Sequence, residues 1–282
     1  MIQRKKKFND IEVRIGLSWI NKAGIILLLF GIATVMRHTY SNWLNAYMKG
    51  ISGFVLGAVL LGVGEWFNRK RKNLFALGLT GGGIGVLYLS VFSSYFILDI
   101  LTMLTSISVS ILITLVALVL SRRYQSATIC SLSLIGGYFP FFSYVFTEGL
   151  AGDAIYIAMG YLLILNVLVL GVSLGRRWIF INYLSFLLNI PCLVYLIYKS
   201  PSELISIGYC LLTFLMYLAI TLSYPMIKKS KLRVVDIVLL GLNTVINCIL
   251  VYGLFEMAEY GDFRGLIALV YALIYIGLGQ LI

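Results

Sequence analysis

Residues 103–123 read MLTSISVSILITLVALVLSRR, an uncharged and mostly aliphatic run that ends in two arginines. An α-helix rises about 1.5 Å per residue, so roughly 20 residues cross a hydrocarbon core about 30 Å thick. The run has this length, and no charged side chain interrupts it before Arg122. It therefore predicts a transmembrane helix with a basic end.

Similar runs recur along the whole chain. Hydrophobic residues make up 61% of the 282 positions and charged residues only 12%, whereas an ordinary soluble domain carries about 25% charged residues. The sequence therefore predicts an all-α fold, a polytopic transmembrane helical bundle of about ten spans. The predicted spans cover residues 24–36, 51–66, 75–96, 103–120, 127–146, 154–174, 179–198, 204–224, 235–255 and 266–282.

The basic residues lie at alternate ends of these spans. Most of the 22 lysines and arginines precede the first span or follow the second, fourth, sixth and eighth. The opposite ends hold only Arg37, Lys49, Lys199 and Arg264. Because cytoplasmic loops retain lysine and arginine, this pattern predicts a cytoplasmic N-terminus. The net charge of +11 is then a topology signal, and no nucleic-acid partner is expected.

The N-terminal residues 1–20 are basic and precede the first apolar run. No small-residue cleavage site follows that run, so we expect a retained helix rather than a signal peptide. Two interpretations of residues 1–20 fit equally well: a segment lying along the cytoplasmic interface, or a solvated tail. We accordingly predict two parts, the basic segment 1–20 and a transmembrane domain over residues 21–282.

Motifs for metal, cofactor or redox chemistry are missing from the sequence. The four cysteines, at positions 130, 192, 210 and 248, lie singly in four different spans, and His38 is the one histidine. A metal site needs several such ligands close together. The sequence predicts no metal and no cofactor, and it leans against an enzyme.

Glycines four residues apart occur in the second and third spans and share a helix face. Such pairs let two helix backbones approach closely. In lipid the hydrophobic effect does not bring helices together, and dispersion forces between closely packed helices do so instead. We predict a packing role for them, the alternative being a hinge or cavity wall in the third span. The paired glycines are Gly53 with Gly57, Gly78 with Gly82, and Gly81 with Gly85.

Polar side chains within the spans are the candidate intramembrane site residues, because each is costly in lipid unless it is paired or hydrated. Glu65 lies just before a basic run and fits either an interfacial salt bridge or a proton or cation site. Asn243 and Asn247 lie four residues apart on one face, as expected of a hydrogen-bonded seam between helices or of a cavity wall. Asn166 and Asn189 complete the set, the latter close to Pro191.

Arg37 and His38, in the first outer loop, are candidate outer-face residues. They fit a phosphate-binding or acid–base pair. The simpler alternative is an interfacial anchor at Arg37 and a solvated His38.

Several short stretches of this sequence occur together in one known family. They are RIGLSWINKAG at 14–24, GEW at 64–66, GGG at 81–83 leading to LY at 87–88, GGYFP at 136–140, and YLLILN at 161–166. Because these stretches occur together and in this order, the chain resembles, over roughly its first 180 residues, the bacterial membrane proteins called domain of unknown function 2339. The resemblance implies a multi-pass protein of the bacterial cytoplasmic membrane with no assigned activity. Family members usually have more spans, so a truncated member is expected.

Two functional hypotheses follow. The first is a transporter or a flippase-like protein of the cell envelope, based on Glu65 and on the breaks at Gly136, Gly137, Pro140 and Pro191. The second is a membrane-embedded enzyme acting on envelope lipid or polysaccharide, or an assembly scaffold. The expected partners are the lipid bilayer, a lipid-linked or small-molecule substrate, and other membrane proteins.

Overall fold

The computed structural model describes residues 27, 31, 34, 45–70, 74–147, 149–257 and 264–281. Within these ranges the chain is all α-helical, with no strand. The N-terminal segment 1–20 and nearly all of the predicted first span lie outside the described residues. The helices are α1 (Ala46–Lys70), α2 (Leu74–Phe92), α3 (Met103–Tyr124), α4 (Ala127–Thr147), α5 (Asp153–Gly175), α6 (Ile179–Lys199), α7 (Glu203–Lys228), α8 (Val234–Met257) and α9 (Arg264–Leu281).

Helices α1 to α8 are each long and apolar enough to cross a membrane. Helix α9 contains a shorter apolar stretch, Ala268–Gly277, so the described helices agree with a chain of about ten spans. Helix α1 starts five residues before the predicted span and ends four residues after it. Such extensions are expected, because the backbone hydrogen bonds of a helix continue into the polar interface after the apolar run has ended.

The outward faces of these helices are apolar. Val59 of α1, Leu112 of α3 and Ile249 of α8 are 53%, 62% and 65% exposed. Many other large aliphatic side chains are similarly uncovered. In water such a continuous apolar surface would cause association, whereas in a bilayer it is the surface that faces lipid.

Prolines lie inside three helices without ending them. Pro140 lies in α4, Pro191 in α6 and Pro225 in α7, and each helix continues past its proline.

Helix α2 widens at its C-terminal end into a π-helical turn at Ser93–Ile97. Asp99 then adopts a positive φ of 50°, and the Thr102 side chain accepts a bond from the Thr105 N–H to begin α3.

The described residues fall into two compact units, divided between Pro140 and Phe141. In the first unit the core lies among α2, α3 and α4, and in the second it lies among α7, α8 and α9. The buried residues of the first core are Ile84, Tyr88, Val91, Ile113, Ala117 and Ile129. Those of the second core are Phe214, Leu218, Leu222, Leu240 and Tyr271. The predicted division at residue 20 stays a prediction.

Helices α1 and α2 share the most extensive contact between any two described helices. A Cβ atom built on Gly83 would lie 2.9 Å from the Leu61 nitrogen and 3.1 Å from the Gly57 oxygen. A Cβ on Gly64 would lie 2.6 Å from Thr80 Oγ1 and 3.0 Å from the Thr80 nitrogen. The two backbones are therefore in direct contact, and only glycine fits at these positions.

The predicted packing glycines lie in several environments. A Cβ on Gly57 would meet Leu87 Cδ2 at 2.6 Å, so this residue lies at the α1–α2 contact. A Cβ on Gly81 would lie 3.5 Å from Leu132 of α4. Gly53, Gly78 and Gly82 are buried and Gly85 is half-buried. The four-residue spacing did not select Gly64 or Gly83, which make the closest backbone contacts.

Candidate functional site

Glu65 lies near the basic end of the first unit, in the last turns of α1, and is held by three donors. Its Oε1 accepts from Arg69 Nε at 3.0 Å and lies 2.9 Å from Arg123 Nη1. Its Oε2 accepts from the Tyr124 hydroxyl. The carboxylate thus joins α1 to the end of α3.

These contacts compensate the charge of Glu65. Its side chain is 20% exposed, whereas Arg69 and Arg123 are mostly exposed, so solvent screens both ion pairs. Beside them, Lys70 Nζ lies 3.8 Å from the ring centroid of Trp66, a cation–π contact at the same helix end. Glu65 therefore forms salt bridges with Arg69 and Arg123, and both its position at the membrane interface and a proton or cation site stay predictions.

Replacing Glu65 by glutamine is expected to lower the free energy of unfolding by less than about 1 kcal/mol, since exposed ion pairs contribute little. The loss should shrink in 1 M salt, which screens such pairs. The loss in free energy of unfolding is measured by equilibrium unfolding in mixed detergent micelles at low and at high salt. Glu203→Gln, which changes a carboxylate in the first turn of α7, is the control. A loss of several kcal/mol that salt does not change would contradict this account.

The second unit contains a cluster of neutral polar side chains halfway along its helices. Asn166 of α5 donates from Nδ2 to Asn189 Oδ1 of α6 at 3.4 Å. The Tyr217 hydroxyl of α7 donates to Asn166 Oδ1 at 3.3 Å and lies 2.9 Å from Ser185 Oγ of α6. We call these four residues, Asn166, Ser185, Asn189 and Tyr217, the α5–α7 polar cluster.

Every member of the α5–α7 polar cluster is buried, with at most 2% of its surface exposed. Unpaired polar groups at this depth would cost several kcal/mol in lipid, so the cluster needs its mutual hydrogen bonds. Both bonds to Asn166, at 3.4 Å and 3.3 Å, are longer than the usual range of about 2.7–3.2 Å.

Asn243 and Asn247 make a separate set of bonds, from α8 to its neighbours. Asn243 Nδ2 donates to the Phe214 carbonyl at 3.1 Å, and Asn247 Nδ2 donates to the Cys210 carbonyl at 2.9 Å. The Tyr271 hydroxyl of α9 donates to Asn247 Oδ1. The hydrogen bonds therefore divide the four predicted asparagines into two groups, and this one ties α8 to α7 and α9.

A buried ion pair lies at the basic end of the second unit. Arg177 Nη2 donates to Asp236 Oδ2 and lies 3.3 Å from the Lys231 carbonyl. The side chains are 13% and 6% exposed. Asp236 also accepts from the Arg233 N–H at 3.0 Å, which caps the first turn of α8. The pair was not predicted, although an acid in the first turn after a basic run is a signal of such a cap.

The remaining predicted site residues, Arg37 and His38, lie outside the described residues. Within the part of the chain that is described, no three His, Cys, Asp or Glu side chains come together as metal ligands. The four cysteines there form no disulfide, and three of them are buried.

No curated protein and no solved structure matches this chain. A family model does, and it is described as predicted membrane protein (DUF2339). The match spans residues 16–282, so the resemblance extends well beyond the first 180 residues or so in which its motifs lie. Together with the long apolar helices, this match shows that the chain is a multi-pass membrane protein belonging to the family DUF2339.

Proposed function

We propose that this protein is a transporter or flippase-like protein that moves a polar or lipid-linked substrate past the α5–α7 polar cluster. The observation that carries the proposal is this cluster, with Asn166, Asn189 and Tyr217 meeting halfway along three helices. Polar groups at membrane depth are expensive and often mark substrate pathways. Transporter sites commonly lie at this depth, and Pro191, which removes a backbone N–H donor from the continuous helix α6, lies two residues from Asn189.

The chemistry of the cluster indicates which substrates it would accept. Amide and hydroxyl groups offer both donors and acceptors without charge. They suit the hydroxyl or amide groups of a sugar or of a lipid headgroup better than a bare ion. The proposed setting is the cytoplasmic membrane of a bacterium, with the basic helix ends facing the cytoplasm.

The alternative functions are a membrane enzyme acting on envelope lipid or polysaccharide, and a scaffold without chemistry. Acid–base catalysis needs a group that titrates near the working pH, and the α5–α7 polar cluster contains no carboxylate and no histidine. The cluster therefore favours movement of a substrate over its chemical conversion. If the protein is a scaffold, the cluster is a structural seam, and changing it will alter stability alone.

The test uses the full chain in proteoliposomes with a fluorescent nitrobenzoxadiazole-labelled phosphatidylglycerol, whose movement between leaflets is followed by dithionite quenching. We expect the wild-type protein to accelerate quenching of the inner-leaflet probe. Tyr217→Phe removes only the hydroxyl, which bonds to Asn166 Oδ1 and to Ser185 Oγ, and it should slow this movement by about tenfold, which corresponds to about 1.4 kcal/mol of lost buried hydrogen bonding.

The matched control is Tyr275→Phe, which removes a hydroxyl bonded to Thr244 of α8 and to the Leu240 carbonyl. It should leave probe movement unchanged, with both variants unfolding at similar denaturant concentrations. Absence of probe movement in the wild type would contradict flippase activity. Equal slowing by the two variants would contradict a role for the α5–α7 polar cluster and favour the structural seam.

A further inference from the structure

The turn between α7 and α8 carries a dense positive charge. Lys228 ends α7, and Lys229, Lys231 and Arg233 follow it, all with exposed side chains. We call these four residues the α7–α8 basic surface. None of their side chains takes part in an ion pair between two described residues.

The acid beside this surface does not neutralise it. Asp236 is 6% exposed and is bonded to Arg177 and to the Arg233 N–H. Its charge is thus already matched by a guanidinium from the turn between α5 and α6. No described carboxylate pairs with a side chain of the α7–α8 basic surface, unlike the Glu65 end of the first unit, where Arg69 and Arg123 share a carboxylate.

The surface is also flanked by exposed apolar side chains. Met226, Ile227 and Val234, which flank the basic residues, are 47%, 56% and 76% exposed. Apolar side chains directly beside cations indicate the boundary between acyl chains and water. A free carbonyl group there would repel an anion. The Pro225 carbonyl is not free, because it accepts hydrogen bonds from the Lys229 and Ser230 N–H groups.

From these observations we propose that the α7–α8 basic surface binds the phosphate headgroup of an anionic phospholipid. The cations attract the phosphodiester, and the neighbouring aliphatic side chains contact the upper acyl chains. Basic pockets at the ends of transmembrane helices bind anionic headgroups by the same two contributions. This site is separate from the α5–α7 polar cluster, so it does not depend on substrate movement.

The test is native mass spectrometry of the full chain in maltoside micelles, titrated with dioleoyl phosphatidylglycerol or dioleoyl phosphatidylcholine. We expect selective binding of phosphatidylglycerol by the wild type. The double variant Lys228→Gln with Lys231→Gln should weaken it about 25-fold, since each basic residue near an anionic lipid surface contributes a factor of about five. Lys228→Arg with Lys231→Arg keeps the charge and should keep the binding.

The matched control removes two lysines from the opposite helix ends, Lys49→Gln with Lys199→Gln. It should change phosphatidylglycerol binding by less than about twofold, because neither lysine belongs to this surface. Equal weakening by the two glutamine pairs, or equal binding of phosphatidylcholine, would overturn the proposal. Displacement of the lipid by an equal concentration of glycerol phosphate would overturn it as well, since the surface would then recognise a free phosphate.

Discussion

Replacing Asp236 by leucine is expected to lower the free energy of unfolding by about 3–5 kcal/mol, the cost of leaving a buried charge without its partner. The Arg177 side chain is only 13% exposed and keeps only the Lys231 carbonyl as a described acceptor once the carboxylate is gone. Asp236→Asn removes the charge but retains an acceptor for the Arg233 N–H. Its loss of stability therefore measures the contribution of the charge, and the difference between the two variants measures that of the cap.

A double-mutant cycle provides the control. Arg177→Met should lower the free energy of unfolding by a similar amount, because it leaves the Asp236 carboxylate without its partner. Combining Arg177→Met with Asp236→Leu should recover much of that loss. Equilibrium unfolding in mixed maltoside and dodecyl sulfate micelles measures all four proteins. If the double variant lost the sum of the two single losses, the two residues would not be coupled and the buried pair would be excluded.

Replacing Gly64 by alanine is expected to cost about 1–3 kcal/mol or more, as overpacking does in other well-packed interiors. The new Cβ would lie 3.0 Å from the Thr80 nitrogen and 3.3 Å from its Cα. Thr80 Oγ1 would lie closer still, at 2.6 Å. The nitrogen and Cα are backbone atoms of α2 that cannot rotate away, so the two helices must shift apart. Gly83→Ala should act in the same way, since its Cβ would meet the Leu61 nitrogen of α1.

Gly62→Ala is the matched control, on the same helix two residues from Gly64. A Cβ there meets nothing within 4 Å, so alanine should be neutral or stabilise α1 by up to about 1 kcal/mol through its higher helix propensity. The same unfolding assay compares the variants. Equal free energies of unfolding for the Gly64→Ala and Gly62→Ala variants would show that α1 and α2 do not pack through their backbones.

The transmembrane fold could be predicted from local properties of the chain. A run such as residues 103–120 crosses a bilayer because of its length and its lack of charge, and neither property depends on which helix lies beside it. Within lipid every backbone N–H and C=O must be hydrogen-bonded, and a single run of this length can satisfy all of its own groups only as a helix. Family membership likewise depends on short motifs that are present in the sequence.

The partners of the polar side chains could not be predicted in the same way. Asn166 and Asn247 look alike in the sequence, yet Asn166 bonds to Tyr217 and Asn247 bonds to the Cys210 carbonyl. Helices that are apolar on every face show little periodicity to indicate which side turns inward.

The sequence alone was thus sufficient for the class of protein and for the approximate ends of its helices. The pairing of Arg177 with Asp236, the three donors around Glu65 and the meeting of Asn166 with Tyr217 emerged from the packed helices. The physical reason is that insertion into lipid depends on the hydrophobicity of each segment, whereas contacts between helices depend on shape and on hydrogen bonds between residues far apart in the chain.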